Sequence, residues 1–146
     1  GAREALAGIL KLTDYAIFSA PALRELGGGA SDEERLAHVL SLGPRHAGVT
    51  RGEHGYLWRE RDASGEAPAF SVSVTDTTGA GDAFHGAFAL MVTEGCTAAE
   101  SARLASAVAA LKCRHLGARA GLPTRAELEA FIADAPAPKV QRAARS

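Results

Sequence analysis

A chain of 146 residues, 47% apolar and 23% charged, has the length and balance of one folded domain with a substantial core. Its formal net charge of −1 gives no global field to draw nucleic acid or an anionic membrane, and no apolar run approaches the roughly 20 residues of a membrane span. The two cysteines, Cys96 and Cys113, form no CxxC pair, so a reduced, cytoplasmic setting is the economical expectation.

In chain order, residues 2–12 place Ala5, Leu6, Ile9, Leu10 and Leu12 at helical intervals. "DYAIFS" (14–19) predicts a short buried strand closed by Pro21. Ser31 and Glu34 have the spacing of a capping box and open a helix that Gly43-Pro44 ends. "HAGVT" (46–50) is a second strand, running into "RGEHG". "YLWRE" (56–60) and "AFSVSV" (69–74) are expected as strands joined by the polar stretch "RDASGEAP". Helices follow: one to about Thr93, one opened by Thr97 and Glu100 and running to about 115, and one opened by Thr124 and Glu127. From Ala133 onward the Pro/Ala-rich, basic sequence predicts a frayed tail. Strands alternating with helices, then a hairpin, then helices in series imply an α/β layered sheet with a mixed edge.

The stretch "TDTTGAGDAFHGAFAL" (75–90) asks for a reason beyond folding. It is strand, glycine turn and helix, and the first helical amides have no internal partners beside the positive end of the dipole. Gly79 and Gly81 would let that backbone approach an anion closely. On spacing alone, a plain tight turn and a phosphate nest stand about equal. The pattern is neither GxGxxG, since Phe84 takes the third glycine's place, nor a Walker loop. Asp82 is by itself most simply a carboxylate favoured by the dipole. Beside a phosphate nest, an ionised carboxylate can also take the proton of an attacking hydroxyl.

"DTTGAGDAFHGAFA" resembles the second signature of the PfkB, or ribokinase-like, family of carbohydrate kinases. "DYAIFSAPALREL", "VTRGEHGYLW" and "ALKCRHLGARAGLP" agree with it in order, and the resemblance runs to about residue 132. It implies the C-terminal portion of a ribokinase-like three-layer α/β/α sandwich with a β-hairpin at the sheet edge. Residues 1–132 would be the nucleotide-binding part, and 133–146 a flexible tail. The implied activity is ATP-dependent phosphorylation of a sugar hydroxyl. Asp82 matches the catalytic base, and Gly79, Ala80 and Gly81 match the anion hole for the γ-phosphate. Thr50, Gly52 and Gly55 match the nucleotide-binding segment. Asp76 and Thr78, with backbone around Lys112, His115 and Gly117 and the position of Gly121, match the oxygen set for a monovalent cation, usually K⁺. Gly121 brings no side-chain oxygen to it.

Two further positions depart from the family pattern. Ser19-Ala20-Pro21-Ala22 stands where an Asn-x-x-Glu often helps organise Mg²⁺, and Ala105 replaces an asparagine near the adenine. Family members usually run to about twice this length, with a sugar-binding N-terminal half, so the expectation is a piece that holds ATP without most of the sugar contacts. A nucleoside kinase of the same family and a non-catalytic nucleotide- or partner-binding module stay open as alternatives. An exposed sheet edge makes a homo-oligomer conceivable. The five histidines show no zinc spacing, and Tyr56, Trp58 and Cys113 have the pattern of core packing. His85, three residues after Asp82, is either near substrate or simply packed or solvated.

Overall fold

The structure is a computed structural model that describes residues 1–135 and 139–142. It divides into two compact units. Among the described residues, one comprises 1–51, 56–66 and 140–142; the other comprises 52–55, 67–135 and 139.

The first unit is the α/β part. Its elements are α1 (Ala2–Leu10), β1 (Tyr15–Ser19), α2 (Ala20–Leu26), α3 (Asp32–Ser41), β2 (His46–Thr50), β3 (Tyr56–Glu60), β4 (Ala63–Ala67) and β5 (Lys139–Arg142). The five strands form one sheet in the order β1-β2-β3-β4-β5. β1 and β2 run parallel, Tyr15 opposite His46 and Ser19 opposite Thr50, which requires the helical crossover that α2 and α3 supply. β3 then returns antiparallel to β2. Ser31 and Glu34 close the capping box expected at the start of α3. Leu10, Leu23, Leu36, Val39, Ala47, Val49 and Leu57 make the core.

Three local expectations are corrected. The hairpin partner of β3 is β4, inside the stretch taken as a polar connection, and residues 69–74 form no strand. β4 has poor strand composition, yet the turn at Arg61-Asp62 brings it alongside β3, and pairing overrides propensity. Residues 69–74 alternate well but lie in no ladder. Phe70 packs on Phe131 at 5.3 Å between ring centres, while Val74 stays 59% exposed. A further helix, α2, starts directly at Ala20. Ser19 caps it by accepting from the Ala22 N–H, and Pro21 sits in the first turn, where a missing N–H costs nothing. Lys139–Arg142 form β5 where a frayed tail was expected; residues 136–138 and 143–146 of that tail lie outside the described residues.

The second unit holds the 3-10 turn Gly52–His54 and three helices, α4 (Ala80–Thr93), α5 (Ala98–Cys113) and α6 (Arg125–Ile132). α4 packs along α5 because both present small side chains: Ala83 on one, Ala102 and Ala105 on the other, all buried. Met91, Ala107, Leu111 and Leu128 join α4, α5 and α6 in one apolar cluster. Thr97 and Thr124 cap α5 and α6, each in a capping box with a glutamate.

Leu36 has no exposed surface and sits at the centre of the first core. Leu36→Ala should destabilise by about 2–5 kcal/mol, read as a shift of the denaturant midpoint at unchanged slope. A loss under about 0.5 kcal/mol, the level of surface substitutions, would contradict this packing.

Candidate functional site

The candidate site lies in the second unit, where an irregular segment turns into α4. Asp76 organises it. Its Oδ1 accepts the N–H of Thr78 at 2.9 Å, and its Oδ2 accepts the N–H of Gly117 at 2.8 Å. The Thr75 and Asp76 amides both donate to the Cys113 carbonyl, at 2.7 and 3.1 Å. The ammonium of Lys112, fully buried, donates to the Asp76 carbonyl at 2.8 Å. The segment before α4 is thereby fastened to the C-terminal end of α5. The Thr78 amide and hydroxyl, then the Gly117 amide and the charge of Lys112, hold the Asp76 carboxyl down at about 2.

That fastening leads into Gly79, the N-cap of α4, with φ of 76° and ψ of 6°. This left-handed geometry is strained for any residue with a Cβ, and a Cβ here would stand 3.0 Å from that of Ala118. No side chain caps the helix. Ala80 donates its N–H to the Thr77 carbonyl at 3.1 Å and Ala83 donates to that of Gly79 at 2.9 Å. The amides of Gly79, Gly81 and Asp82 carry no hydrogen bond among the described residues. Of the three residues expected to form an anion hole, Gly79 and Gly81 leave their amides without a partner among the described residues, Ala80 commits its own to the turn, and the neighbouring Asp82 amide is unpartnered as well. An unsatisfied first turn at the positive end of a 14-residue helix suits an anion.

Asp82 is exposed on the same turn, and its carboxylate makes no hydrogen bond or ion pair among the described residues. It and Gly79 line a cavity of about 490 Å³, with Ala83, Ala87, Leu90 and Met91 of α4 on one wall. Arg119, Leu122 and Thr124 line it from the segment before α6. His85 donates from Nδ1 to the Gly81 carbonyl at 2.7 Å, an internal bond of its own helix.

Gly52 and Gly55 bound the 3-10 turn, with φ of 56° and 79°, and the Gly55 N–H closes it on the Gly52 carbonyl at 3.0 Å. A Cβ at Gly55 would collide with the Ala67 carbonyl, so the close approach permits only glycine. Neither residue lines the cavity beside Asp82. Thr50 ends β2 in the first unit, where its hydroxyl donates to the Phe18 carbonyl at 3.3 Å.

The residues expected around a monovalent cation do come together, but as donors and acceptors to one another. Asp76 binds Thr78 and Gly117 through its carboxylate. The Lys112 carbonyl accepts the His115 N–H at 3.1 Å, and a Cβ at Gly121 would stand 2.7 Å from that carbonyl. The Lys112 ammonium also sits on the Asp76 carbonyl, inside the set that the resemblance assigns to a monovalent cation. Sequence reasoning had placed Lys112 by its carbonyl and missed its side chain. The available signal was a lysine on an otherwise small and apolar stretch, "SAVAALKC". Ser19 caps α2 by accepting the Ala22 N–H, and among the described residues no group of three His, Cys, Asp or Glu could hold a metal ion.

The lowered Asp76 pKa has a direct consequence. Its stabilising effect is complete above the usual carboxylate value of 3.8 and is lost as pH falls through that value toward about 2. Asp76→Asn should therefore melt below the parent chain at pH 7, with the gap closing as pH drops toward 2. A constant gap across pH 7 to 2, followed by thermal melting, would contradict the clamp.

Comparison with known proteins gives the chain its relatives. Residues 1–125 match the pfkB family carbohydrate kinase profile. The chain is 35% identical over 97 residues to a ribokinase of Lactococcus lactis, covering 66% of this chain and 32% of that one. It is 33% identical over 144 residues to fructokinase-2 of Zea mays, covering 92% and 42%. A solved E. coli structure assigned as a ribokinase II, in complex with ATP and Mg²⁺, superposes with a TM-score of 0.83 at 30% identity, over 90% of this chain and 42% of that one. The chain thus spans less than half the length of these relatives. Its α/β fold is ribokinase-like, and the chain belongs to the pfkB family of carbohydrate kinases.

Proposed function

We propose that this chain is the nucleotide-binding and base-bearing part of an ATP-dependent carbohydrate kinase. The observation that carries the reading is the turn at Gly79–Asp82. Unpartnered amides, a helix dipole and an unpartnered carboxylate stand within four residues, and Gly79 and Asp82 open on one cavity. Amides of that kind stabilise the charge of a phosphoryl group in transfer, and a carboxylate beside them accepts the acceptor's proton. In the proposed step the acceptor oxygen bonds to the γ-phosphorus, its proton passes to Asp82, and the bond to the bridging oxygen breaks to release ADP.

ATP as the donor is supported by the E. coli relative, which was solved with ATP and Mg²⁺. Gly79, Gly81 and Asp82 would receive the phosphates through their amides, and the 3-10 turn at Gly52–Gly55, with Thr50 before it, is the second candidate contact. Mg²⁺ would arrive with the nucleotide, since the Ser19-to-Ala22 segment here is a helix cap. The acceptor is a sugar hydroxyl, with ribose and fructose suggested by the names of the relatives. No helix among the described residues is long and apolar enough to cross a membrane. A cytoplasmic enzyme remains the proposal, with ATP and a sugar as its small-molecule partners.

The test begins with the chain alone. Calorimetry should detect Mg-ATP binding, and Asp82→Asn should keep it. In a form of the protein that turns over a sugar, Asp82→Asn should lower the turnover number by about 10²–10⁴-fold, with the KM for ATP little changed. Turnover within a few-fold of the parent would remove Asp82 from the chemistry. Absence of any nucleotide binding would remove the kinase reading of this turn.

A further inference from the structure

We propose that Lys112 is the resident cation of the turn that leads into α4, taking the place of a monovalent metal ion. The inference rests on the reading of residues 76–82 as the phosphate-binding turn. Lys112 is one of the largest fully buried side chains, with no exposed surface. Lysines are rarely buried to that extent without a partner, because desolvating an ammonium is costly unless a charge or strong acceptors receive it. Its partner here is the Asp76 carbonyl at 2.8 Å, in the residue whose carboxylate grips Thr78 and Gly117. The Thr78 amide and hydroxyl and the Gly117 amide lower the Asp76 pKa most, and the Lys112 charge adds to them.

Charge and geometry both make a second cation superfluous. One positive and one negative group already balance within the fastening. A bare metal ion beside Asp76 would face the like charge of the Lys112 ammonium. The Asp76 carbonyl is already taken by the ammonium. The Lys112 carbonyl accepts from His115, and Gly121 closes on it without adding an oxygen of its own. An ammonium covalently carried by α5 binds the turn at any salt composition. The turn should therefore keep its phosphate-binding shape whether or not potassium is present.

The experiment compares thermal melting and Mg-ATP binding in potassium chloride and in tetramethylammonium chloride at equal ionic strength. The parent chain should melt at the same temperature and bind ATP with the same Kd in both salts. Lys112→Met, which keeps the length and removes the charge, should melt lower and regain both melting temperature and affinity in potassium alone. Lys112→Arg, which keeps the charge, should stay indifferent to the salt. A potassium response in the parent or in Lys112→Arg would overturn the proposal. A Lys112→Met chain that folds and is as indifferent as the parent would overturn it too. Should Lys112→Met fold in neither salt, the parent and Lys112→Arg still decide the matter. Phosphate transfer is not read, so failure of the kinase reading would appear separately, as absent ATP binding with the melting comparison intact.

Discussion

Asp76 is the residue on which the candidate site depends. A segment without regular secondary structure enters α4, and its internal bonds, Thr78 to Asp76 and Ala80 to Thr77, do not by themselves fix the angle of entry. The fastening to the end of α5 does so, through Oδ2 of Asp76 on the Gly117 amide, two amides on the Cys113 carbonyl and the buried Lys112 ammonium. Each contact crosses from residues 75–78 to residues 112–117, so a disturbance at either end moves the helix N-terminus. A carboxylate receiving two backbone amides is among the strongest neutral-pH fasteners available to a surface turn.

With the entry fixed, local chemistry follows from helix geometry. The left-handed Gly79 reverses the chain sharply enough that its own amide and those of Gly81 and Asp82 are left without carbonyl partners. A serine or threonine cap would have satisfied one of these donors and blunted the site. α5 and α6 show the contrast, since Thr97 and Thr124 each close a capping box there. Three helices of one chain thus differ at their N-termini in a way that only one can use for an outside anion. Small residues between α4 and α5 let the helices approach closely, which carries the fastening at one end into a defined cavity wall at the other.

Much of this was legible in the residues. Capping boxes at Ser31, Thr97 and Thr124 marked three helix starts, because a side-chain oxygen and a glutamate three residues on satisfy specific amides. "DTTGAGD" marked the turn, since glycine is required where φ is positive. The hairpin was misplaced because alternation in 69–74 is a local signal, whereas strand formation needs a neighbour, and β3 found its neighbour in the weak sequence "ASGEA". α2 was hidden by Pro21, read as a stop although it is equally at home in a first turn. Side-chain direction is the hardest thing to infer. Lys112 looked like a backbone contributor, and its inward ammonium became evident only when α5 was packed against the turn. In the same way, Ala80 could not be told from Gly81 as an amide donor before the bond to Thr77 was seen.

The most direct test of the account follows individual backbone amides of the isotopically labelled chain as Mg-ATP is added. The amide resonances of Gly79, Gly81 and Asp82 should move most along the α4 turn, with that of Ala80, bound to Thr77, moving less. Unmoved resonances at Gly79, Gly81 and Asp82, with the largest changes elsewhere in the chain, would contradict the claim that this turn receives the phosphates.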